Sequence, residues 1–133
     1  MTERIEQELG LLHSYYTEVE YVEEGQWFLI RDYVLPCEPT WNKEKMDVCF
    51  QVLTGYPGSP PYGFYVPSDL QCGGSPPQNN YKPKPPAIPP FEGNWGFFSW
   101  SHDSTWRATA DLKAGSNLTN FARTFADRLK QGV

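Results

Sequence analysis

Few side chains in this sequence are equipped for covalent chemistry, and they are scattered. Cysteines stand at Cys37, Cys49 and Cys72, and a thiolate is a nucleophile that works without a full catalytic triad behind it. Cys72 is the leading candidate. Its surroundings, Asp69-Leu70-Gln71-Cys72-Gly73-Gly74, read as a flexible, exposed loop, with Asn79 and Asn80 near enough in sequence to offer amide donors to a developing oxyanion. No lysine or arginine flanks it in sequence, and the plain alternative is an incidental loop cysteine. The second candidate is Ser99 or Ser101 beside His102. His102 could take a proton from a nearby serine, yet chain neighbours rarely reach a working Ser–His geometry, and Ser101-His102-Asp103 is not by itself a triad. A histidine that simply caps an aromatic cluster is the plain alternative here. Cys49, which alternates away from Val48, Phe50 and Val52, and Cys37, between Pro36 and Pro39, read as structural.

Other chemistries lack their residues. Three cysteines are odd in number and show no CxxC spacing, which argues against a disulfide framework and a zinc site. Paired carboxylates for glycoside hydrolysis, a glycine loop for phosphate and metal-ligand histidine spacing are all missing, so no cofactor and no metal are expected. Sugar stacking on the aromatic residues is disfavoured because only Glu92 and Asp103 lie near them. The net charge of −5 and the absence of a basic stripe argue against nucleic acid. No apolar run is long enough to cross a bilayer and the first residues lack signal-peptide order, so no membrane and a cytoplasmic location are expected. Asn117-Leu118-Thr119 then reads as a chance sequon.

The elements that must position these residues follow from patterning. A chain of 133 residues, 39% hydrophobic and 16% aromatic, fits a single domain over 1–133, while 13 prolines and 11 glycines exclude a helical bundle. Residues 2–13 predict a short helix with Thr2 as its cap and Ile5, Leu9 and Leu12 on one face. Residues 14–22, 27–35, 47–53 and 64–66 predict four strands of an antiparallel meander. Eight prolines between 67 and 94 leave no regular element there. Residues 94–106, with Trp95, Phe97, Phe98, Trp100 and Trp106, must pack on the sheet or line a pocket. A last amphipathic helix opens near Ser116 or Asn117 and carries Leu118, Phe121, Phe125 and Leu129 on one stripe. The fold class expected is therefore α+β, with Val48, Phe50, Val52, Phe28, Ile30, Phe121, Phe125 and Leu129 in the core. Charge divides unevenly: residues 1–66 hold four basic and eleven acidic side chains, residues 67–133 seven and five. The acidic half is either a solvated face or a patch that docks a basic partner.

Tyr56-Pro57-Gly58-Ser59-Pro60-Pro61, placed after the third strand, resembles the Tyr-Pro-x-x-Pro-Pro loop of the ubiquitin-conjugating superfamily. Trp106 ahead of a terminal helix resembles that family's tryptophan, and the stretch from Trp95 to His102, then Trp106 to Asp111, is most similar to its bacterial branch. The resemblance runs from Thr2 to Leu129 and implies a UBC-like fold: N-terminal helix, four-stranded antiparallel meander, Pro-rich loop and C-terminal helix. It also implies a protein of a bacterial ubiquitin-like modification pathway, accepting a modifier from an activating enzyme for transfer to protein targets. The alternative is a non-catalytic UBC/RWD-like binding module that docks the modifier, the activating enzyme or the target. The family's His-Pro-Asn motif is absent here, and Cys72 falls nearer that motif's place than the catalytic cysteine's. Counting back from Trp106 puts the family's cysteine near Phe98, Ser99 or Ser101. The family's first helix often docks the activating enzyme with basic residues, whereas Glu3, Glu6 and Glu8 reverse the sign.

Overall fold

Thr2 opens the first helix as expected, its hydroxyl accepting the Ile5 amide at 3.2 Å. In the computed structural model, which describes residues 2–101 and 105–133, helix α1 spans Glu3–Tyr15. It therefore overruns the strand expected from residue 14. The Ser14 hydroxyl donates to the Leu11 carbonyl and the Tyr16 amide to the Leu12 carbonyl, which closes one more helical turn. Burial of Leu12 and stacking of Tyr16 on Tyr33 outweigh the strand preference of adjacent tyrosines.

Strand β1 (Val19–Val22) then turns through Gly25 and Gln26, both at positive φ, into β2 (Trp27–Val34). β2 bulges at Asp32, whose φ is 55° and whose amide donates to the Asp47 carboxylate at 3.2 Å. β3 is Lys45–Gln51 and β4 is Tyr62–Pro67. The third strand starts and stops two residues earlier than its pattern predicted, because Leu53 accepts the Tyr56 amide in a turn.

Six strands form the sheet where four were expected. β5 (Tyr81–Lys82) lies inside the segment read as irregular, and β6 (Trp95–Ser101) is the aromatic stretch. The order is β1-β2-β3-β4-β6-β5, with all pairs antiparallel. β6 escaped notice as a strand because Trp95, Gly96, Phe97 and Phe98 are all buried, which erases the two-residue alternation. Two residues of β5 are too few to show any period. β6 also crosses β4 closely: Gly63, at φ +80, leaves no room for a side chain against the Phe97 ring.

The C-terminal segment begins with a 3₁₀ turn at Leu112–Ala114, followed by α2 (Leu118–Arg123) and α3 (Phe125–Leu129). Asn117 and Asn120 cap α2 reciprocally. The single helix expected here is broken at Thr124. Its amide is shared between the carbonyls of Asn120 and Phe121, and its hydroxyl donates to Phe121 and accepts the Trp100 indole N–H at 3.0 Å. The apolar stripe nonetheless lies on one face of the sheet, and all eight predicted core residues are buried. Phe125 sits at the centre, stacked on Phe64 at 4.1 Å and edge-on to Phe121 at 5.0 Å. The opposite sheet face buries Trp27, Leu29, Cys49, Tyr65, Trp95 and Phe97 beneath Ala87 and Phe91 of the proline segment.

Candidate functional site

Tyr56 and Trp106, fifty residues apart in sequence, meet in space. The rings of Tyr56 and Trp106 lie 6.0 Å apart, and the Trp106 indole N–H donates to the Pro57 carbonyl at 2.9 Å. The Tyr56 hydroxyl donates to the Glu8 carboxylate. Glu8 is fully buried; it also accepts the Leu118 amide at 3.0 Å and pairs with the Arg4 guanidinium at 3.1 Å. One carboxylate thus ties α1, the Tyr-Pro loop and the start of α2 together. Burial raises its pKa above the ordinary carboxyl value, partly opposed by the Leu118 N–H and the Arg4 charge. Glu8 had been expected on the exposed acidic face of α1. Its position three residues after Ile5 and four before Leu12 places it on the apolar stripe, and that spacing was the available signal.

Cys72 does not occupy an exposed loop. It is 7% exposed and belongs to the main core. Its amide donates to Ser75 and its backbone bridges Trp41, whose indole N–H donates to the Leu129 carbonyl at 2.9 Å. The Gly-Gly loop is therefore laced under the end of α3, a consequence of long-range pairing that sequence neighbours cannot display. Asn79 and Asn80 are exposed, and what the fold engages of Asn79 is its backbone. The Asn79 carbonyl accepts from Arg128 and the Asn79 amide donates to the Val133 carbonyl. Asn80 instead pairs with Ser99: the Ser99 amide donates to the Asn80 carbonyl at 2.7 Å, and the Asn80 side-chain amide reaches the Ser99 carbonyl at 3.4 Å.

Ser99 is half-buried in β6, and Ser101 ends that strand exposed. His102 and Asp103 lie outside the described residues. Cys49 is sealed in the back-face cluster, where burial pushes its thiol well up. Cys37, also read as structural, is exposed, because Pro36 ends the strand before reaching it. Asn117 is 5% exposed and occupied in capping α2, so its sequon is closed in the folded chain. Pro60 is half-buried and Pro61 buried, at the entry to β4.

Sequence reasoning missed a second buried charge. Arg128, in the last turn of α3, is fully buried. Its guanidinium lies 4.5 Å over the Phe98 ring and donates to the carbonyls of Gly132 and Asn79 at 2.7 and 2.5 Å. It clamps α3 to the loop before β5. Among the described residues no group of three or more His, Cys, Asp or Glu side chains could hold a metal ion, and no helix is long and apolar enough to cross a membrane. Comparison of the chain with protein-family models, curated proteins and solved structures yields no match.

Proposed function

We propose that this chain is a UBC-like protein of a bacterial ubiquitin-like modification pathway, and that it docks the modifier, the activating enzyme or the target without carrying the modifier on Cys72. The observation that supports this reading is the junction of Tyr56, Pro57 and Trp106, which unites the residues of the family resemblance at one place against α1. Burial of Cys72 and the turn of the Asn80 side-chain amide toward Ser99 favour the binding module over a thioester carrier. A second reading, a conjugating transferase that carries the modifier as an oxyester, draws support from Ser101, which ends β6 in solvent.

Incubation with ATP, activating enzyme and modifier separates these readings. The binding module forms a non-covalent complex and no adduct. An adduct that resists thiol, survives Cys72→Ala and disappears with Ser101→Ala establishes the oxyester carrier. A thiol-labile adduct lost on Cys72→Ala overturns the assignment against Cys72. Absence of both adduct and complex rejects both readings.

A further inference from the structure

We draw no further inference here: the strongest candidate, the open cleft between α1, β2 and α2–α3, is lined by charges of both signs, Arg31, Arg123 and Lys130 against Asp32 and Asp127, and nothing in the structure shows what covers it.

Discussion

The two faces of the sheet are covered by different means. On one face α1, α2 and α3 bury Phe28, Ile30, Val48, Phe50, Phe64, Val66 and Phe98 under a stripe of aliphatic and aromatic side chains. On the other, no helix is present among the described residues, and aromatic rings of the sheet itself are roofed by the proline segment through Ala87 and Phe91. A helix supplies satisfied backbone along with its apolar stripe, so it can lie flat over a wide core. A proline segment has few amide donors to satisfy, which lets it cover apolar rings without a hydrogen-bonded partner strand. The helical face should therefore carry most of the stability, with the loop face serving as a shallower, more easily opened layer.

That difference can be broken most directly at Phe125. Replacing it with alanine empties the centre of the helical face and should cost about 3–5 kcal/mol in chemical denaturation. The next largest effect is expected at Glu8, where alanine leaves the buried Leu118 amide and the Tyr56 hydroxyl without their acceptor and leaves Arg4 only its carbonyl partners at Thr109 and Ser116. A loss of about 1–3 kcal/mol is expected by the same measurement. Glu8 also predicts a pH dependence. Its carboxyl holds a proton more tightly in the folded chain than in the unfolded one, where the ordinary value is 4.5. Its contribution to stability therefore declines as pH rises from 4.5 through the raised folded value. Glu8→Gln should flatten that decline, which thermal unfolding across acidic pH will show.

Phe91→Ala probes the loop face. Phe91 is only half-buried, so its removal should cost about 1 kcal/mol, and amide exchange should quicken around Trp95 and Phe97 while Phe121 and Phe125 keep their protection. A loss equal to that of Phe125→Ala would erase the distinction between the faces. The smallest perturbation is alkylation of the native chain with iodoacetamide. Cys37 should react readily, whereas Cys49, within the loop-covered face, and Cys72, within the helical one, should react only after opening. Their order of reaction in dilute denaturant reports which face opens first, and Cys49 is expected to precede Cys72.

Much of the helical face was legible from residue order. Val48, Phe50 and Val52 alternate, and Leu118, Phe121, Phe125 and Leu129 recur at helical spacing, so their burial followed from periodicity. The back face was not legible in this way. Phe97 and Phe98 point to opposite faces and both are buried, and a strand covered on both sides shows no alternation. The candidate site divided along the same line. Tyr56 and Trp106 could be picked out by type, and their chemistry as a ring pair with a shared hydrogen bond needed only that they meet. The environment of Cys72 could not be read, since Gly73 and Gly74 beside it suggest mobility while Trp41 and the end of α3, which enclose it, are distant in sequence.

The residue order by itself determined an α+β chain with a capped first helix, an antiparallel meander and an apolar C-terminal stripe, because these rest on local caps and short periods that neighbouring residues impose on each other. Tertiary structure alone decided which partners Glu8 would find on its apolar stripe, that Arg128 would be a buried charge, that Cys72 would be enclosed, and that Asn80 would pair with Ser99. The physical reason is that desolvation and hydrogen-bond satisfaction depend on which distant groups arrive. A carboxylate on an apolar stripe is affordable only when an amide, a hydroxyl and a guanidinium from elsewhere in the fold converge on it.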